Sequence, residues 1–92
     1  MEFLKAYGAI RGQEDLQSPP VECATVSVQA SPEVLRELSL FFSACADRLE
    51  ASGATDPMVH FHLMDEWSKW KPAFSDFVIV APPKSKKATR QA

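Results

Sequence analysis

Both histidines and both tryptophans of the chain fall within residues 59–70, which read Val-His-Phe-His-Leu-Met-Asp-Glu-Trp-Ser-Lys-Trp. His60 and His62 are two positions apart, and residues at this spacing on a β-strand point to the same side. Paired imidazoles of this kind occur in zinc and iron sites, and Asp65 or Glu66 could follow as a third ligand. The stretch can therefore be a metal site, a reaction centre or a surface that grips another protein.

A metal site is the weaker interpretation of the two histidines. Catalytic zinc normally takes three protein ligands, and neither a third histidine nor a cysteine lies nearby in the sequence. The alternative is two polar residues on the solvated side of an amphipathic strand, with Phe61 packed beneath them. We predict no metal and no cofactor, and we keep a metal- or small-ligand-binding domain built on His60 and His62 as an alternative function.

Catalysis has little support in the sequence. A buried carboxylate such as Asp65, Glu66 or Asp76 can be tuned to act near neutral pH, but carboxylates beside a loop are usually solvated. Cys45 falls on the apolar side of a predicted helix, where a thiol packs rather than reacts. With only three glycines there is no glycine-rich phosphate loop. We predict that the protein is not an enzyme and has no catalytic residues.

The two tryptophans favour a surface that binds protein. They are three positions apart and share a side if the segment forms a helical turn, and tryptophan is enriched at binding hot spots. The alternative is that one or both close the core, since a domain this small needs its aromatic residues. We predict the following partner-binding residues: Trp67 and Trp70 as anchors, Asp65 and Glu66 as charge partners, and His60 and His62 on the neighbouring sheet face.

Four strands and one helix are predicted to position these residues. Runs rich in β-forming or alternating apolar residues indicate strands at residues 3–11, 21–30, 58–64 and 74–81. Ser31 can cap a helix that begins at Pro32, and Gly53 can close it. Apolar residues recur between them at spacings of three and four and predict a buried stripe: Val34, Leu35, Leu38, Phe41, Phe42, Cys45 and Leu49. The predicted fold is α+β, a two-layer β-β-α-β-β arrangement in which one amphipathic helix covers one face of a four-stranded, mostly antiparallel sheet.

Length and charge indicate one acidic domain with a basic end. At 92 residues the chain supports a single core, which we place in residues 1–82, followed by a flexible basic tail over residues 83–92. The four basic side chains of the tail leave six basic and twelve acidic side chains in the body, a net charge of −6. Such a body repels nucleic acid and attracts basic proteins.

The sequence also suggests a cellular location. No apolar run approaches the roughly 20 residues that span a bilayer, and the first residues lack the order of a secretory signal. We therefore expect a cytoplasmic protein without membrane contact. Cys23 and Cys45 do not have the spacing of a metal or redox motif, so we expect two reduced, buried thiols.

Three segments resemble a known family. They are Ser31-Pro32-Glu33 followed by Leu35 and Leu38, then His60-Phe61-His62-Leu63, and finally Ser75-Asp76-Phe77-Val78-Ile79-Val80. Over residues 24–81 the chain resembles small immunity proteins of bacterial polymorphic toxin and contact-dependent effector systems. The resemblance implies a non-enzymatic antitoxin that binds a cognate secreted toxin and blocks its active site or its access to substrate.

The chain departs from that family pattern in the Trp-Ser-Lys-Trp connection, in residues 12–20 and in the basic tail, so the toxin itself stays open. The acidic body suits a basic toxin such as a nuclease, because complementary fields speed capture. A homodimeric adaptor subunit that pairs through an exposed strand edge is a further alternative.

Overall fold

The computed structural model describes residues 2–12 and 20–84 and has an α+β fold. In chain order its elements are β1 (Ala6–Gly8), β2 (Val21–Cys23), α1 (Pro32–Ser52), β3 (His60–His62), α2 (Leu63–Glu66) and β4 (Val78–Val80). Most of the predicted tail, and residues 13–19 of the predicted loop, lie outside the described residues. No helix in the described part is long and apolar enough to cross a membrane.

Helix α1 is the main element, and it begins and ends where the sequence predicts. The side chain of Ser31 accepts a hydrogen bond from the backbone N–H of Val34, and Pro32 occupies the first turn, where its missing donor costs nothing. Gly53 closes the helix with φ of 63°, a left-handed conformation that suits a residue without a Cβ, and its N–H donates to the carbonyl of Leu49.

The predicted four-stranded sheet is not found. The four strands instead form two separate antiparallel pairs, β1 with β2 and β3 with β4. Each strand has only three residues, and residues 24–30, predicted as part of the second strand, join neither pair. Alternation along a strand indicates which side chains share a face but does not specify the neighbouring strand, so the pattern could not show that the two pairs stay apart.

The β3–β4 pair carries the candidate site. His60 lies opposite Val80, Phe61 opposite Ile79 and His62 opposite Val78. The ladder continues at both ends, where Ala81 N–H donates to Val59 O (3.0 Å) and Leu63 N–H donates to Phe77 O (2.8 Å). Because opposite residues share a face, Phe61 and Ile79 face the core while both histidines and both valines lie on the outer face.

The core lies between α1, α2 and the inner face of β3–β4. Its centre consists of Leu38, Phe41 and Cys45 from α1, spaced three and four apart, together with Leu63 from α2. Five partly buried side chains pack around this cluster: Phe61, Trp67, Trp70, Phe77 and Ile79. The apolar stripe of the helix is thus confirmed for its central positions, whereas Leu35 and Phe42, predicted on the same stripe, remain exposed.

The segment predicted as a strand at residues 58–64 changes conformation halfway. After Leu63 completes the ladder, the chain turns into the short helix α2, and Trp67 N–H donates back to Leu63 O at 3.0 Å. The side chain of Asp76 accepts a hydrogen bond from Met64 N–H at 2.9 Å, which holds the first turn of α2 against the segment that leads into β4. The sequence prediction was wrong here because this contact joins residues 12 positions apart.

The β1–β2 pair is tied to the rest of the chain by Arg11. The guanidinium donates to the carbonyls of Pro72, Ala73 and Phe74 at 3.2–3.4 Å, in the connection between α2 and β4. An arginine with several fixed donors suits this role, since one side chain can satisfy three carbonyls of a tight connection.

Both cysteines are free, as expected, but they differ in exposure. Cys45 is buried in the core, and Cys23 on β2 is only partly buried, which corrects the expectation of two buried thiols. Burial raises the pKa of the Cys45 thiol above its ordinary value, with Arg48 lowering it in part and Glu66 raising it further. Since the thiolate is the reactive form, Cys45 should be inert.

We therefore expect iodoacetamide to label one cysteine, Cys23, in the native protein and both cysteines in urea. Intact-mass measurement over time gives the number of labels, and peptide mapping gives their positions. A Cys23→Ser variant serves as the matched control and should resist labelling until it is unfolded. Rapid labelling of Cys45 in the native state would contradict the buried position.

Candidate functional site

The two histidines lie together on the outer face of the β3–β4 pair. Their ring centroids are 5.1 Å apart and the rings are steeply inclined, with an interplanar angle of 70°. Their position on one face of a strand is as the period-two pattern predicts. Val78 and Val80 flank them on the same face and are exposed.

His62 is held by Asp76. Its Nδ1 lies 2.7 Å from the Oδ2 atom of the carboxylate, and both side chains are partly buried. The other carboxylate oxygen accepts the N–H of Met64. One carboxylate therefore fixes both a histidine ring and the start of α2. An ionised carboxylate can accept hydrogen bonds but cannot donate them, so Nδ1 of His62 carries the proton in this pair.

His60 is held by the main chain. Its Nδ1 lies 2.8 Å from the carbonyl oxygen of Met58, two residues earlier. Because a carbonyl can only accept, Nδ1 of His60 also carries a proton, and in the neutral ring Nε2 is the free acceptor. Both rings are thus oriented through the same nitrogen.

Glu66 lies on the other side of β3, at the junction of α1 and α2. Its Oε1 accepts a charge-assisted hydrogen bond from Arg48 at 2.6 Å, and the guanidinium of Arg48 lies over the ring of Phe61, 5.1 Å from its centroid. The hydrogen bond to Glu66 and its negative charge raise the pKa of Arg48. Solvent screens so exposed a pair, so its role is to orient the carboxylate rather than to stabilise the fold.

Both tryptophans pack against the core and are still partly exposed. The indole of Trp67 stacks on Phe74 with centroids 5.8 Å apart and planes within 15° of parallel. Trp70 donates from Nε1 to the carbonyl of Ser75 at 3.2 Å. The inner faces of both indoles therefore help to close the core, as the alternative interpretation predicts. A partner could contact the surface of the indoles that remains exposed.

A shallow groove runs between α1 and α2. We call it the acidic groove. Its volume is about 170 Å³, and it is lined by Glu37, Leu40, Phe41, Ala44, Leu63, Glu66 and Trp67. Of these, Leu40 is 65% exposed, whereas Phe41 and Leu63 are buried and form an apolar floor. Glu37 and Glu66 place two carboxylates beside that floor.

The structure thus divides the predicted site residues between surfaces. His60 and His62 meet on the outer sheet face, and Glu66 and Trp67 meet in the acidic groove. Asp65 is exposed on α2, and Trp70 anchors the following connection without lining the groove.

Sequence reasoning missed Arg48 and Leu40, and it considered Asp76 only as a candidate acid, without its contact to His62. Arg48 and Asp76 reach their partners across 18 and 14 positions, and no local pattern indicates such contacts. Leu40 had a usable signal, because it is a large apolar residue outside the predicted buried stripe of α1.

The chemistry available among the described residues is limited. They contain no group of three or more His, Cys, Asp or Glu side chains arranged to hold a metal ion. Both oxygens of Asp76 already accept hydrogen bonds, and Cys45 is buried with a raised pKa.

Comparison with known proteins adds no constraint, since no family model, no curated protein and no solved structure matches the chain.

Proposed function

We propose that this chain is an immunity protein that neutralises a toxin by direct contact at the acidic groove, without catalysis. The observation that carries the proposal is the combination found there, an exposed Leu40 over an apolar floor with Glu37 and Glu66 beside it. Apolar contact supplies affinity in protein interfaces, and flanking charges supply orientation and specificity.

The distribution of apolar residues supports a partner. In the described part of the chain five residues are buried, namely Leu38, Phe41, Cys45, Leu63 and Ala81, whereas fourteen large apolar side chains are exposed. Four of the exposed ones lie on α1 or α2, namely Leu35, Leu40, Phe42 and Met64, and of these Leu40 lines the groove. Covering such surface removes apolar area from water, which is the main driving force of association.

The charge supports a basic partner. Residues 1–83 have six basic and twelve acidic side chains. Arg48 neutralises part of Glu66, but Glu37 and the exposed Asp65 have no cation near them among the hydrogen bonds and ion pairs of the described residues. A nuclease-like toxin with a basic surface would be drawn to this side of the molecule, and the approach would slow as salt is added.

A second candidate, the homodimeric adaptor subunit, has one observation in its favour. Strand β4 pairs only with β3 in the described structure, so its other edge is open, and Val78 and Val80 beside it are exposed. An open edge without charged side chains can pair with a second copy. A stable dimer in the absence of any other protein would favour this candidate.

The test of the immunity proposal is protection from a toxin. Co-expression of this chain with the toxic domain of its cognate toxin should restore growth, and the purified pair should form a complex whose affinity weakens as salt is raised. Expression of the toxic domain with an unrelated acidic protein of similar size is the control. Normal growth inhibition despite abundant folded protein would contradict the proposal.

A further inference from the structure

We propose that His60 and His62 form a two-histidine site that binds a divalent transition-metal ion such as Zn²⁺ through their Nε2 atoms. This inference goes beyond the proposed function and does not depend on it. It also departs from the sequence-based prediction of no metal, which rested on the missing third ligand. The reason for the change is the way in which the structure holds the two rings.

The first argument is the orientation of the rings through Nδ1. His62 donates from this nitrogen to the carboxylate of Asp76, and His60 donates from it to the carbonyl of Met58. Metal-binding histidines almost always donate their second ring nitrogen to a carboxylate or a backbone carbonyl, which fixes the tautomer and raises the basicity of the ligating nitrogen. Both kinds of support occur here, on adjacent histidines, and both leave Nε2 to bind the ion.

The second argument is the spacing of the rings. With zinc–nitrogen bonds of about 2.0–2.1 Å and tetrahedral angles, two imidazoles on one ion have centroids about 5 Å apart. The centroids of His60 and His62 are 5.1 Å apart. The centroid separation of the two rings is therefore the one that shared coordination requires.

The third argument is the ion that suits the site. Imidazole nitrogen is a ligand for zinc, copper, nickel and iron, whereas calcium and magnesium prefer oxygen. The described residues offer these two ligands and no cluster of three, so water or a ligand from another molecule would complete the coordination. The outer sheet face leaves room for this, because His60 is exposed and the side chain of His62 is one-third exposed.

The experiment uses the untagged full chain, since a histidine tag would add ligands. Zinc chloride is titrated by calorimetry, and the ring nitrogens are followed by NMR. We expect one ion per chain, with the largest shifts at Nε2 of both histidines. His60→Ala and His62→Ala should each weaken binding at least tenfold, because each removes one of two ligands, and Asp76→Asn should weaken it about 10–100-fold.

Asp76 is a positioning residue, and its test needs a readout that a purely structural role would not change. In the Asp76→Asn variant, the nitrogen shifts of His62 should report a changed tautomer before any metal is added. Two controls match the variants: Asp47→Asn removes an exposed carboxylate of α1 that holds neither ring, and Cys23→Ser removes the partly exposed thiol. Both should bind zinc as the wild type does.

No binding below about 1 mM zinc, or binding that survives both histidine variants, would overturn the proposal. His60→Ala keeps this test decisive even if the Asp76 variant unfolds, because the side-chain hydrogen bond of His60 found among the described residues goes to the carbonyl of Met58, two positions away. Toxin binding measured in EDTA separates the two proposals, since the acidic groove does not include the histidines.

Discussion

Replacement of Phe41 by alanine is expected to lower the free energy of unfolding by about 3–5 kcal/mol. Phe41 is 6% exposed and lies at the centre of the core, between Leu38 and Cys45 on α1 and against Leu63 of α2. Its removal takes away apolar contact and leaves a cavity that a helix held by caps at both ends cannot easily close. Urea denaturation followed by circular dichroism measures the change.

The expected loss in Phe41→Ala is large relative to the total free energy of unfolding of a small domain. Small domains have unfolding free energies of about 5–15 kcal/mol, and this chain depends on one small cluster. Leu40→Ala is the matched control because Leu40 precedes Phe41 on the same helix but is mostly exposed, so it should change stability by less than about 0.5 kcal/mol. Equal effects of the two variants would show that the core is not where the structure places it.

The helix could be predicted because its determinants are local. The cap at Ser31, the proline at the first position and the closing Gly53 act within a few residues of the helix ends, and the apolar spacing of α1 follows from its own geometry. Such signals do not require knowledge of the rest of the fold. The helix therefore has the predicted start and end.

The sheet could be predicted only in part, because pairing is decided at long range. The faces of His60 and Phe61 agree with the alternation, and the antiparallel pairing of β3 with β4 agrees with the prediction of mostly antiparallel strands, which named no neighbours. The separation of β1–β2 from β3–β4 depends instead on the path of residues 24–30, where Val26 and Val28 alternate like a strand yet remain exposed. Their pattern contains no information about a partner.

The candidate site shows the same division. The period-two spacing placed both histidines on one face. However, His62 is oriented by its hydrogen bond to the carboxylate of Asp76, and Glu66 is oriented by the hydrogen bond that Arg48 donates to it. Neither pair is close in sequence. The residue types that do chemistry could be recognised, whereas the contacts that set their orientation and availability could not.

These contacts change where the proposed docking surface is centred. Trp67 and Trp70 pack partly against the core, so truncating either would disturb the fold together with any interface. Leu40 does not have this double role, because it is exposed and lies beside Glu37 at the open side of the acidic groove. A substitution at Leu40 therefore separates partner binding from stability.

Leu40→Ala is expected to weaken binding of the cognate toxin by about 2 kcal/mol, which is roughly a 30-fold increase in Kd. The loss arises because an apolar side chain that the toxin would cover is removed from the groove, and calorimetry or interferometry with the purified toxin domain measures it. Leu35→Ala is the matched control, since Leu35 is also an exposed leucine on α1 but does not line the groove. An equal loss of affinity in both variants would indicate that the toxin binds a wider face of α1 rather than the groove. No loss in Leu40→Ala would rule the groove out, even if protection from the toxin is retained.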